Sequence, residues 1–328
     1  MPTTTLDWGV LGVANIGVRA VIPAIQRARR SRLVAIASRT ESRAREAAQR
    51  IGISRAYGSY DALLQDPQVQ AIYIPLPNSL HREWTIRSAE AGKHVLCEKP
   101  LALTVADCEE MIAACRAHGV VLMEAFMYRF HPRTRRVAQL VTEGAIGDPR
   151  LVRASFTFRI RDPANIRLQP DLGGGALYDV GCYTVNVSRM ILGEPREVAA
   201  SGHIGTSGVD ETLAGLLRFE GDRLAVIDCG LMASRREEYE LVGADGRLMV
   251  PVAFLPGTAD AEIHLVKGTD RTVMSIPGTD EYQAMIEHFE DVVLSGAPLE
   301  LPPADASANL KVIEALLRSF RTRRVEAL

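Results

Sequence analysis

From residue 8 to residue 123 the chain alternates short apolar runs with segments of helical period, and this limits the fold more than any other feature. Residues 8–13, 32–37, 69–74, 94–97 and 120–123 read as buried strands, and residues 16–28, 41–51 and 81–91 as helices between them. Strands separated by helices of this length form βαβ units, and such units form a parallel sheet. Thr104 opens a further helix with Asp107 three positions on, a variant capping box.

The pattern changes near residue 124. Strand-like segments then follow one another: residues 151–160, 197–204, 212–219, 223–231, 238–242 and 248–250. Hairpin signals sit at Glu220-Gly221-Asp222 and Ala244-Asp245-Gly246. A helix over 132–143 ends at Gly144, a second covers 175–192, and helices over 282–294 and 304–320 close the chain. The expected fold class is α/β: a dinucleotide-binding domain over 1–124, then an α+β domain over 125–328 built on a mostly antiparallel sheet. The C-terminal helix is expected to pack back on the first domain. A length of 328 residues suits two domains at about 150 residues each.

A formal net charge of -2 supplies no basic field for nucleic acid. The five cysteines are scattered, odd in number and without a C-x-x-C pair, which points to reduced thiols in the cytoplasm. No stretch reads as a secretory signal or membrane span. The histidines form no metal-spaced cluster, so no metal is expected.

Gly12-Val13-Ala14-Asn15-Ile16-Gly17 follows the first strand and opens the first helix. It is the dinucleotide fingerprint with Ala14 in place of the middle glycine. Gly12 allows the tight turn, Gly17 allows helix to pack on strand, and the helix start faces the pyrophosphate. A plain strand–turn–helix is the competing reading. The second strand runs into Ser38-Arg39-Thr40, with Arg43 a turn later, where an NAD site carries a carboxylate. A hydroxyl and guanidinium groups suit a 2′-phosphate, so NADP is expected over NAD.

Glu98-Lys99-Pro100 ends the 94–97 strand and puts a lysine where ligands of parallel sheets bind. Asp179 and Tyr183 lie four apart on one helix face, and Asn186 extends that face. An Asp and a Tyr satisfying buried backbone beside Gly173-Gly174-Gly175 would give the same pattern.

Gly12 and Gly17, the loop Pro77-Asn78 with His81, Glu98-Lys99-Pro100 and Asp179-x-x-x-Tyr183 occur in an order that resembles the glucose–fructose oxidoreductase / inositol dehydrogenase / rhizopine-catabolism (Gfo/Idh/MocA) family. The resemblance covers nearly the whole chain. It implies a Rossmann domain, then an α+β domain whose large open sheet forms a homodimer or homotetramer interface. Lys99 matches the family's catalytic lysine and Asp179 its substrate-orienting aspartate. Tyr183 stands where the sugar-oxidoreductase and dihydrodiol-dehydrogenase branches carry a proton-transfer tyrosine; the inositol branch usually has histidine there. The expected activity is NADP(H)-dependent hydride transfer to or from a sugar or sugar-like polyol. A dihydrodiol substrate and a catalytically silent NADP-binding protein are the alternatives.

In this frame an ammonium at Lys99 lowers the pKa of Tyr183 or polarises the carbonyl oxygen, and the residues do not say which one gives up the proton. His81 flanks the nicotinamide or only contacts a helix N-terminus. Glu98 and Asn78 belong with the cofactor loops. Arg129 touches cofactor or is a hinge charge. Arg161, in the polar run 159–167, lines the substrate cleft or is surface.

Overall fold

The structure, a computed structural model, describes residues 4–328 and divides into two compact units. The first unit holds the chain up to Met127 together with Asp280–Ser307. Its six strands are β1 (Leu6–Leu11), β2 (Ser31–Ala37), β3 (Arg55–Tyr57), β4 (Ala71–Ile74), β5 (His94–Cys97) and β6 (Leu122–Glu124). They pair in parallel in the order β3-β2-β1-β4-β5-β6. Every residue of β1 and β4 is buried, as a sheet covered on both faces requires. The strand order reverses between β1 and β4, which opens a crevice at their carboxyl ends.

The helices of this unit are α1 (Ile22–Arg27), entered through a π-helical turn at Gly17–Val21, α2 (Glu41–Ile51), α3 (Tyr60–Leu64), α4 (His81–Glu90) and α5 (Val105–Ala117). The Thr104 hydroxyl accepts the Asp107 amide at 3.0 Å and donates to its carboxylate at 2.7 Å, so Thr104 caps the helix, with Asp107 bonded to its hydroxyl and not to its backbone amide. The later helix Glu281–Ser295 belongs here as well: Phe289 packs its ring 5.1 Å from Trp8 on β1.

The second unit holds Tyr128–Thr279 and Ala308–Leu328, so a single cut after residue 124 does not describe the chain. After α6 (Pro132–Thr142) come β7 (Pro149–Arg159), α7 (Cys182–Leu192), β8 (Glu197–Ile204), β9 (Asp210–Arg218), β10 (Leu224–Gly230), β11 (Met232–Gly243), β12 (Arg247–Val250), β13 (Ala261–Lys267) and β14 (Asp270–Ile276). The helix Glu281–Ser295 is α8, Pro303–Thr322 is α9 and crosses the division, and β15 is Glu326–Ala327. The nine strands run in the order β14-β13-β12-β11-β7-β10-β9-β8-β15. The sheet is mixed: β10 lies parallel to β7, and every other pairing is antiparallel.

Candidate functional site

Gly12 turns the chain out of β1 with φ +105°, a conformation that favours glycine, and its amide donates to Ala37 at 2.8 Å. A Cβ there would stand 3.0 Å from Leu76. Gly17 is less constrained than the fingerprint implies, because a Cβ would meet Tyr73 and Pro75 at an ordinary 3.5 Å. The helix starts directly after the turn, with the Val18 amide donating to Ala14 at 3.0 Å. Asn15 and Ile16 lie in this opening turn, whose free amides suit an anion.

Ser38 is buried at the end of β2, its amide bonded to Tyr57. Arg39 is exposed, and Arg43 reaches back to the Val13 carbonyl at 3.4 Å. Burial raises the Tyr60 hydroxyl above its ordinary pKa while Arg39 and Arg43 pull it down, so both guanidiniums act on one spot. That hydroxyl would sit 3.7 Å from a Cβ at Gly12. The Glu41 carboxylate is paired with Arg45. The end of β2 therefore presents cationic groups beside the glycine turn and fits a phosphorylated nucleotide.

Lys99 follows β5, is partly exposed and precedes a cis peptide to Pro100. Its two expected companions are placed differently. Glu98 is buried and accepts the Tyr73 hydroxyl at 2.6 Å. His81 is fully buried, with Nδ1 2.9 Å from the Pro100 carbonyl and Nε2 2.9 Å from that of Leu76. Burial, aided by the Lys99 charge, holds the imidazole below its usual pKa. His81 thus braces the loops after β4 and β5 and presents no ring nitrogen to a cofactor. Pro77 precedes a single turn of 3₁₀ helix at Asn78–Leu80. Asn78 and Ser79 from one loop and Ala102 and Leu103 from the other line an open pocket.

In the second unit Asp179 sits in a π-helical turn, Leu177–Gly181, which continues into α7. Its carboxylate takes a 2.7 Å ion pair from Arg167 Nε. Tyr183, one turn on, is only 4% exposed. Its ring lies 5.2 Å from Phe254, 5.4 Å from Phe156 and 5.7 Å from Tyr128, so packing fixes its rotamer. Asn186 is fully buried. Its Oδ1 accepts the Tyr128 hydroxyl at 2.5 Å and Arg129 Nη1 at 3.1 Å. The residue expected to touch substrate and the one expected to touch cofactor thus bond to each other, and Asn186 serves the interior of α7. Arg161 is exposed in the loop after β7.

Arg167 enters the sequence reading only as part of the polar run 159–167; its bond to Asp179 is not foreseen there, because the two lie twelve positions apart across an irregular loop. Asp210 escaped the sequence reading: this buried carboxylate on β9 accepts the Leu177 amide at 2.7 Å. Among the described residues no group of three His, Cys, Asp or Glu could hold a metal. None of the described helices is long and apolar enough to cross a membrane.

Residues 6–126 match the model described as "Oxidoreductase family, NAD-binding Rossmann fold", and residues 134–249 match the GFO/IDH/MocA C-terminal domain. The chain is 41% identical over 320 residues to an NADP-dependent D-xylose 1-dehydrogenase of Haloferax volcanii, covering 96% of this chain and 97% of that protein. It is 36% identical to a trans-1,2-dihydrobenzene-1,2-diol dehydrogenase of Xenopus tropicalis, covering 94% and 95%. Among solved structures, a 3-ketoreductase of Actinomadura kijaniata in complex with NADP and TDP-benzene superposes with a TM-score of 0.92 at 33% identity, covering 96% and 98%.

Proposed function

We propose a specific reaction for a chain that belongs to the Gfo/Idh/MocA oxidoreductase family: NADP(H)-dependent oxidation of a sugar or sugar-like polyol at a carbinol carbon, or its reverse. The coarser activity, NAD(P)-dependent oxidoreduction of the sugar dehydrogenase and ketoreductase type, follows from that membership and from the relatives. The observation that carries the finer reading is the exposed Arg39 at the end of β2 with Arg43 reaching to the Val13 carbonyl of the glycine turn, while the Glu41 carboxylate is paired with Arg45. Two guanidiniums there bind a 2′-phosphate and leave a bare ribose without its usual carboxylate.

Gly12, Ala14, Asn15, Ile16 and Gly17 would hold the pyrophosphate on backbone amides, and Ser38, Arg39 and Arg43 the adenosine phosphate. Bound NADP supplies a hydride acceptor at its nicotinamide ring. Every proton is left to the protein. Lys99 brings a positive charge that favours an oxyanion at the reacting oxygen. Tyr183 brings a hydroxyl on a ring held by three aromatic neighbours, able to take or return that proton. Asp179, steadied by Arg167, accepts a substrate hydroxyl, and a carboxylate held by a guanidinium suits a neutral polyol.

The likeness to a trans-1,2-dihydrobenzene-1,2-diol dehydrogenase supports a second reading, a non-sugar diol substrate. One experiment separates them: NADPH formation followed by absorbance against a panel of aldoses, polyols and dihydrodiols, beginning with D-xylose. The expected result is turnover with at least one aldose and none with the diols. Turnover confined to diols establishes the second reading, and tight NADPH binding without turnover on any substrate sinks both.

A further inference from the structure

The helix that carries Asp179 and Tyr183 begins on a seat made by two neighbouring strands. Asp210, at the start of β9, is 5% exposed. Its carboxylate accepts the Leu177 amide at 2.7 Å. Opposite it stands Gly175, with φ +124°, where a Cβ would come within 2.2 Å of Asp210 Oδ1. On the adjacent strand β10, the Cys229 thiol presses on Gly181 so closely that a Cβ would stand 2.9 Å from its sulfur. The π-helical turn bearing Asp179 is thus gripped at both ends, and Tyr183 is two residues beyond the second grip.

We propose that Asp210 is a positioning residue for the reaction, acting through the start of the helix that carries Asp179 and Tyr183. The inference rests on the roles given to those two residues above. One carboxylate oxygen takes the Leu177 amide while the other lies against Gly175, and a carboxylate presents only acceptors to both. An asparagine puts an NH₂ in place of one of those oxygens, either against the Leu177 amide or in the tight space at Gly175. Serine or asparagine caps an ordinary helix without burying a charge, whereas here burial pushes the carboxyl up to about 6. Arg321 on α9 partly offsets that shift, and the Cys229 thiol facing it is itself raised by burial. A group that is costly to keep ionised at neutral pH, placed under the proposed catalytic turn, fits a demand for geometry better than a demand for stability.

The test is Asp210→Asn, assayed with D-xylose and NADP and combined with Tyr183→Phe. The expected loss in kcat is roughly 10- to 100-fold, the scale of a small misplacement of reacting groups. Affinity for NADPH, read by fluorescence titration, is expected to stay within roughly twofold, because the glycine turn belongs to the other compact unit. The double variant is expected to lose less than the product of the two single losses, since with the tyrosine's hydroxyl gone only Asp179 is left for Asp210 to place. Losses that multiply, or Asp210→Asn at the wild-type rate, overturn the inference. If circular dichroism shows that variant unfolded, Gly175→Ala displaces the same carboxylate from the other side and faces the same criterion. Wild-type enzyme inert with every sugar, or a fully active Tyr183→Phe, overturns the functional reading and this inference together. A silent Asp210→Asn in an active enzyme overturns this inference alone.

Discussion

Arg39 and Glu41 stand two positions apart at the end of β2, with opposite consequences for a nucleotide. The carboxylate is tied to Arg45 and the guanidinium is exposed, so the local charge offered to a ligand is positive. Replacing Arg39 with aspartate reverses it. The ratio of kcat/KM for NADP to that for NAD is expected to drop about 100-fold, the worth of a charge-assisted phosphate contact plus the new repulsion. Steady-state kinetics with both cofactors measure this, and an unchanged ratio removes Arg39 from the cofactor site. Single residues were legible where period alone placed them: four-residue spacing put Asp179 and Tyr183 on one helix face. It could not place Asn186, Glu98 or His81, because a polar side chain facing a cleft and one satisfied inside a core look alike in sequence. Burial decides between them, with Asn186 held by Tyr128 and Arg129 and Glu98 by Tyr73.

At the scale of elements, the wide sheet of the second unit buries one face beneath α7 and leaves the other open. One row of cross-strand partners runs Leu216, Val226, Arg153, Glu240, Met249, His264, Val273 across the open face. Leu216, Val226 and Val273 are 36%, 43% and 49% exposed. Apolar positions at the ends of the row enclose alternating charges, Arg153 and Arg247 against Glu240, with Arg236 against Asp228 nearby. A face with both signs and apolar flanks offers complementary patches to a second copy of the chain, and pairing through it is the expectation to test. The expected outcome in light scattering is a wild type larger than one chain and a Leu216→Asp, Val226→Asp double variant that runs as a monomer with a nearly unchanged melting temperature. A wild type already monomeric at micromolar concentration refutes this. Strands β13 and β14, at one side of the sheet, were not legible in the sequence. Charged residues fall on both of their faces, and half-exposed strands give up the alternation that marks a buried one. Strands β7 to β12 and every helix but the five-residue α3 carried periods that could be read.

For the whole molecule, the net charge of -2 hides a balance of buried groups. In the first unit burial lowers His81 and His94 and raises Glu290; in the second it lowers His131 to about 4, raises Glu237 and raises Asp210 to about 6. The two classes act in the same window with opposite signs. An imidazole whose folded value lies below its unfolded one binds fewer protons when folded, so its contribution to stability is lost as pH falls from about 6.5 toward 4. A carboxyl whose folded value lies above its unfolded one binds more protons when folded, so its contribution is gained as pH falls from about 6 toward 4. The wild-type melting temperature is therefore expected to change little across that range. Asp210→Asn removes one carboxyl arm and leaves the imidazoles unopposed. Raising the Asp210 carboxyl from 3.8 to about 6 corresponds to about 3 kcal/mol of pH-dependent stability. The variant should thus lose stability relative to the wild type by that order as pH is lowered from 7.5 to 4, whatever offset the lost hydrogen bonds impose at the start. Thermal melts of both proteins at intervals across the range measure the gap. Curves that stay parallel mean that Asp210 titrates alike in the folded and unfolded chains, and that its carboxylate is not held out of water beneath the helix.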